Sequence, residues 1–447
     1  LFVDFSGLIS VEMQEEPKTM TIFKKLFLSA GAGVLAFGIA APMPVVADDV
    51  SDFYKRKRIT MYVGYSPGGG YDRYARTLAR HMGKNIPGKP RMVVKNRPGA
   101  GSMILTNEVY ASLPQDGTMI ANVGRGMPTE PLFGNKEAQF DGRKFTWLGS
   151  MNNEVSVCAV WHTVPVNFWD DLKTRGAIMG GTGAGSDTDS FPLVLNNIFG
   201  TKMKLVTGYP GGNDINFAME RGELEGRCAW SWSSVVSTRA KWLKDEKIKI
   251  LLQMSIAKHP DLPDVPFVMD FATNTKDEQV LKLIYSRQLW GRPFMIGPGV
   301  PKERAKALQD AFVKTMKDSA FLKDARRQKL ELAWVDGPTV QKAIEELYDY
   351  PKDVIEAAAK AQTDRSNIEI SKAVIPIETK AGKITRLQSG GRRVTWEGDG
   401  AKGKLRVSGS RTSLMVGGKK AKRKALKVGM ACTFTYQGSA AKKIECP

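Results

Sequence analysis

A chain of 447 residues with 42% hydrophobic side chains can bury two or three domain cores and is neither a disordered nor a fibrous sequence. Its net charge of +20 is uneven, because residues 371–447 carry 18 Lys and Arg against 4 Asp and Glu, which is +14 of the total. Four cysteines with no Cys-x-x-Cys pair, and three histidines, exclude a zinc site read from spacing, so no metal or other cofactor is expected.

Residues 1–19 contain Glu12, Glu15 and Glu16, unlike a targeting signal, and read as a translation start placed too far upstream. From Met20 the pattern changes to Lys24 and Lys25, an apolar run over 26–40, and small residues ending at Val45-Val46-Ala47. That is the order of a secretory signal peptide over 20–47, cleaved after Ala47. Pro42 and Pro44 interrupt the run before the ~20 residues that a membrane anchor needs. No Cys near the cleavage site offers a lipid anchor, so a periplasmic protein is expected.

Strands and helices then alternate. Strands are predicted over 59–65, 91–96 and 119–123, with helices over 71–83 and 101–113. Two glycine-rich turns join them, Ser66-Pro67-Gly68-Gly69-Gly70-Tyr71-Asp72 and Asn96-Arg97-Pro98-Gly99-Ala100-Gly101. Each follows a strand and opens a helix, so backbone N–H groups at these two helix starts are expected to converge on one anion. A second unit begins near Glu154, with strands at 156–161 and 177–180, a helix over 169–174, and the turn Gly181-Thr182-Gly183-Ala184-Gly185-Ser186. A helix over 213–220 and a segment over 222–227 lead to Ala229-Trp230-Ser231-Trp232. This alternation predicts two α/β lobes with ligand at the carboxyl ends of the strands.

Catalysis is not expected. His81, His162 and His259 have no evident nucleophile and orienting acid, Gly-x-Ser-x-Gly is absent, and Gly68-Gly69-Gly70 is not a dinucleotide fingerprint.

From about residue 59 to 359 the wording of these turns resembles the substrate-binding proteins of the tripartite tricarboxylate transporters, the Bug family. The resemblance rests on both first-lobe turns, on Gly181–Ser186, on Tyr209-Pro210-Gly211-Gly212, on Ala257-Lys258-His259-Pro260-Asp261-Leu262-Pro263, and on Gly297-Pro298-Gly299-Val300-Pro301 before a long helix. It implies a type II periplasmic binding protein fold: a first lobe over 48–154 and 256–361, and a second over 155–255. It implies too a small carboxylate ligand held by loop amides and hydroxyls, delivery to membrane transporter subunits, and a monomer. A ligand-sensing receptor for a signalling partner, or an adaptor acting through the basic tail, stays open beside transport.

On the first lobe the expected contacts are Ser66, Pro67, Gly68, Gly69, Gly70 and Arg125. Asp72 is read as bonding its own loop, or as receiving an ammonium group if the ligand is an amino acid, and Arg97 as a loop brace. On the second they are Thr182, Ala184, Gly185, Ser186, Asp187, Tyr209, Gly211, Arg227 and Trp230, with Asp187 and Asp189 also candidates for helix caps. The family's lysine after Tyr209 is missing, and Arg227 is read as replacing its charge.

After a helical stretch over 340–361 and a linker over 362–376, short β runs separated by glycines predict a small barrel or meander of about five strands over 377–447. Cys432 and Cys446 flank its last hairpin and are expected to pair. Cys158 and Cys228 suit either a bridge or two buried thiols. The run Lys419-Lys420-Ala421-Lys422-Arg423-Lys424 reads as a solvated loop or as a contact to an anionic surface, with no nucleic acid expected.

Overall fold

The computed structural model describes residues 46–374, 377–398, 400–438 and 440–447. The expected upstream segment and signal peptide lie outside them, except Val46 and Ala47, which open helix α1 (Val46–Tyr54).

The first lobe is built from β1 (Arg58–Val63), α2 (Gly70–Met82), β2 (Arg91–Asn96), α3 (Met103–Ala111), β3 (Met119–Asn122) and β4 (Thr146–Ser150). The apolar runs feeding helices form crossover units, so β1 pairs in parallel with both β2 and β3. The second lobe follows as β5 (Ser156–Trp161), α4 (Asp171–Thr174), β6 (Ile178–Gly180), α5 (Asp187–Phe199), β7 (Lys204–Thr207), α6 (Gly212–Glu220), β8 (Gly226–Ser231), α7 (Trp232–Lys244) and β9 (Ile248–Met254). The chain then returns through α8 (Thr275–Tyr285), β10 (Pro293–Ile296), α9 (Lys302–Met316), α10 (Ser319–Arg327), β11 (Val335–Asp336), α11 (Gly337–Tyr348) and α12 (Lys352–Thr363).

The first sheet has the order β11-β4-β10-β3-β1-β2, with β10 antiparallel between β3 and β4. The return stretch divides its packing. β10, β11, α9 and α11 meet the first sheet, whereas α12 lies against α5 and α8. The single helical stretch expected over 340–361 is two helices, because Pro351 lacks the N–H that a continuing helix would need and instead starts α12.

The expected linker over 362–376 holds a strand, β12 (Ile370–Lys372), which pairs in parallel with β7. It completes the second sheet, β12-β7-β6-β8-β5-β9. Three residues of Ile-Ser-Lys give no periodicity to read, and the pairing arises because β7 offers an open edge.

Residues 377–447 form the small barrel: β13 (Ile377–Gln388), β14 (Arg393–Gly398), β15 (Ala401–Arg406), β16 (Ser413–Val416), β17 (Lys419–Lys420), β18 (Ala431–Gln437) and β19 (Ala440–Cys446). Five strands run β15-β14-β13-β18-β19, and a parallel contact of Arg406 with Ala440 closes β19 onto β15. Ile384, Val394, Leu405 and Ile444 fill the interior around Trp396 stacked on Phe434, ring centroids 5.1 Å apart. The Cys432–Cys446 disulfide joins β18 to β19, as expected, with 4.1 Å between Cα atoms. Cys158 and Cys228 form a second bridge, between neighbouring strands β5 and β8.

Candidate functional site

The lobes meet directly. Ser66 N donates to the Pro210 carbonyl (2.9 Å) and its hydroxyl to Asp214 (2.5 Å), while Gly101 N donates to the Thr182 carbonyl (3.0 Å). A Cβ at Gly183 would lie 2.7 Å from Ala100 Cα, so the third glycine-rich turn is glycine at the point where one lobe's backbone rests on the other. Gly70 likewise faces Ser234 across the cleft with no room for a side chain.

Between the lobes lies a cleft with about 680 Å³ of non-atom space, part of it open to solvent. The first turns of four helices border it: Gly70 and Tyr71 of α2, Asp187 and Thr188 of α5, Gly212 and Asn213 of α6, and Ser234 of α7. None of these helices has a side-chain hydrogen bond from its N-cap residue, Gly69, Ser186, Gly211 or Ser231. The positive ends of four helix dipoles therefore face one space, although the first two N–H groups of α7 are taken by the Val155 carbonyl and Glu154.

Three guanidinium groups line it, those of Arg125, Arg227 and Arg292, and their partners differ. Arg125 reaches across from the loop after β3, with Nε 2.5 Å from Asp187, Nη2 2.9 Å from Ser156 and Nη1 3.2 Å from Ser231. Burial alone would raise the Asp187 carboxyl, but Arg125 and Arg287 beside it outweigh burial and hold it below the usual carboxylate range. Arg292 is fully buried and pairs with the equally buried Glu154 at 3.0 Å, in the segment that crosses between the lobes. Its guanidinium lies over Tyr71 (4.6 Å) and Tyr74 (5.1 Å) and donates to Ser233 and Ser234. Arg239 donates to Asn213 (2.7 Å).

Of the three arginines that line the cleft, Arg227 is the exception. It bonds only neutral oxygens, the Gly212 carbonyl (3.1 Å) and Asn216 (3.3 Å), and its Nε is buried without a partner. Its guanidinium rests on Trp230, 5.1 Å from the ring centroid. Loss of water, then the charges of Arg239, Arg292 and Arg125, push its pKa down to about 9. It forms no ion pair with any described residue.

Of the residues expected from sequence, Gly69, Gly70, Asp72, Arg125, Thr182, Gly185, Ser186, Asp187, Arg227 and Trp230 line this cleft. Ser66, Pro67, Gly68, Ala184, Tyr209 and Gly211 do not line it. Ser66 and Gly211 are spent on the contact between lobes, Gly68 N donates to Asp72 (3.0 Å), and Tyr209 is packed in the second-lobe core. The second first-lobe turn does not join α2 on the cavity wall. Gly101 is held by Thr182, and Arg97 pairs with Glu108 at the surface. Starts of α5, α6 and α7 take the place assigned to α3. Asp72 does bond its own loop, and also Arg76.

Tyr65, Tyr71, Asn213, Asn216, Ser234 and Arg292 line the cleft without having been expected there. Asn213 and Tyr71 follow glycine turns at helix starts, which is a signal that was available. Arg292 sits in no motif.

Two α/β lobes meeting over a cleft bordered by helix N-termini are the architecture of the type II periplasmic binding protein fold. No family model matches the chain. It is similar to BugT of Bordetella pertussis, 35% identical over 96 residues, which are 22% of this chain and 27% of that one. It is similar to a UPF0065 protein of Pseudomonas sp., 25% identical over 231 residues, 49% of this chain and 65% of that one. Among solved structures, the periplasmic binding protein BugD is matched over 99% of its length by 71% of this chain, at 18% identity and a TM-score of 0.55. MatC of Rhodopseudomonas palustris with bound malate is matched over 99% of its length by 67% of this chain, at 17% identity and a TM-score of 0.52. An R. palustris chain with adipate gives 97%, 68%, 17% and 0.54 for the same quantities. In sequence and fold the chain resembles the Bug-type binding proteins of the tripartite tricarboxylate transporters, which are substrate-binding proteins and not enzymes.

Proposed function

We propose that this chain is an extracytoplasmic solute-binding protein that closes its lobes on a small ligand bearing at least one carboxylate and delivers it to the membrane subunits of a tripartite transporter. The observation that carries this reading is Arg227, a desolvated cation in a cleft of helix N-termini with no acidic partner among the described residues. A ligand carboxylate is the group that offsets its charge. The resemblance to structures solved with malate and with adipate agrees with an organic acid as ligand.

A thermal-shift screen of the protein, stripped of co-purified ligand by refolding, tests this with malate, adipate, aromatic carboxylates and amino acids. A ligand at a hundred times its Kd stabilises by about 2.7 kcal/mol. R227M is expected to lose that shift, and without ligand to be more stable than the parent by about 1 kcal/mol, because an unpaired desolvated charge is gone. A parent shift that survives unchanged in R227M would overturn the assignment.

A further inference from the structure

The closed barrel carries a ladder of cations, of which only Arg406, half-buried near Asp214 and Asp72, turns toward the lobes. Register sets three rows across β13, β14 and β15: Gln388, Arg393 and Arg406; Arg386, Thr395 and Lys404; Lys383, Glu397 and Lys402. The alternating residues Val394, Trp396, Leu405 and Val407 are buried in the barrel interior, so the rows lie on its outer face. Lys383, Arg386, Arg393, Lys402 and Lys404 are exposed, and none makes an ion pair with a described residue. Glu397 is the single acid in the rows.

Neighbouring strands are about 4.8 Å apart, and successive outward residues of one strand about 6.6 Å apart. Arg393 and Arg406 face each other directly, and Lys402, Lys404 and Arg406 follow one another on the outer face of β15, a like-charge repulsion that an anionic chain laid over the rows reverses. At one end the positive strip continues into Arg392 of the β13–β14 turn. A Cβ on Gly391 of that turn would lie 2.9 Å from the Arg423 carbonyl, so the turn abuts the segment holding Lys422, Arg423 and Lys424.

We infer that this face binds a linear acidic polysaccharide. A repeating anion fits the repeating cations, and Thr395 and Gln388 within the rows suit sugar hydroxyls. Binding of single-stranded nucleic acid relies on outward aromatic platforms for the bases, whereas Trp396 and Phe434 point inward and stack on each other. A bilayer is a poorer fit, since no apolar side chain stands in the rows. By fold analogy alone, the second and third strands of five-stranded Greek-key barrels are a known oligosaccharide and oligonucleotide face, and here these are β14 and β15.

The test uses the whole chain against three probes: polygalacturonate, a thirty-nucleotide poly(dT), and vesicles containing phosphatidylglycerol. Polygalacturonate is expected to bind best, with affinity falling about tenfold or more between 50 and 200 mM salt, as for other polyelectrolytes. Replacing Lys383, Arg393, Lys402 and Lys404 together by Gln should weaken it at least about tenfold without changing the melting temperature of the cleft domain or its response to carboxylates. Replacing Lys136, Lys302, Lys314 and Lys323 by Gln removes the same charge elsewhere and should leave binding unchanged. Replacing Lys383, Lys402 and Lys404 by Arg should preserve it. Tighter binding of poly(dT) or of vesicles, no binding of polygalacturonate, or equal losses in both neutralised sets would each overturn the proposal.

Discussion

The cleft and the barrel both gather basic side chains, but they hold them in opposite ways. In the cleft, Arg125 and Arg292 are buried, each fixed by a carboxylate and by hydroxyls, whereas Arg227, which also lines it, has no ion pair with a described residue. On the barrel, Lys383, Arg386, Arg393, Lys402 and Lys404 stand in water, repeated along strands and without an ion pair among the described residues. A single desolvated charge in a fixed frame is barely screened and discriminates by geometry. Many exposed charges are screened over about 10 Å at 0.1 M salt and act by number. One chain thus carries a selective site for a small ligand beside a face whose attraction depends on ionic strength.

The sharpest way to break the cleft side is at its framework. In E154Q the buried Arg292 keeps its charge and loses its counter-ion, so the fold should lose about 3–5 kcal/mol. Urea unfolding measures this, and a loss below about 1 kcal/mol would show that the serines and tyrosines around Arg292 hold it unaided. On the barrel side the matching element is covalent. Replacing Cys432 and Cys446, 14 residues apart in sequence, with Ser should cost about 3 kcal/mol. Hydrogen exchange should place that loss in β13 to β19, with the carboxylate response of the cleft retained. Faster exchange in the second sheet as well would mean that the two regions unfold as one.

The smallest expected effect is a pH dependence on the cleft side. His259, after β9, is 3.0 Å from Glu331, before β11. Burial lowers its pKa, but the Glu331 hydrogen bond and charge outweigh burial and raise it above the ordinary value. A raised folded pKa gives stability that is complete below about pH 6.5 and lost as pH rises through the raised value. Because Glu331 is partly exposed, the pair should contribute under about 1 kcal/mol. The melting-temperature gap between the parent and E331Q should accordingly be wider at pH 5.5 than at pH 8.5, and an equal gap at both would remove the histidine from the account.

Much of this comparison is legible in the chain, and the illegible part has one physical source. Apolar runs, glycine turns and the charge boundary near residue 371 are local signals, and β2 and β5 occupy the residue ranges that the pattern marks. Contacts between distant segments leave no such trace. Arg292 meets Ser234 58 residues away, and Arg125 meets Asp187 62 residues away. Ser66 and Gly211 look like ligand loops because glycine and serine serve a lobe contact as readily as a carboxylate. The parallel closure of β19 onto β15 is equally silent, since it involves one pair of facing residues.

Strand β12 has a consequence for how the chain is made. It covers the outer edge of β7, yet it lies at residues 370–372 while β7 ends at Thr207, so 163 residues (370 − 207) separate the edge from its cover. At about 5–20 residues per second, that interval is on the order of ten to thirty seconds of synthesis. Until β12 docks, the outer edge of β7 presents an unpaired row of N–H and C=O groups, the kind of template that recruits foreign strands. The nascent chain is therefore at its most adhesive late in translation, when nearly everything that shapes the cleft has already emerged.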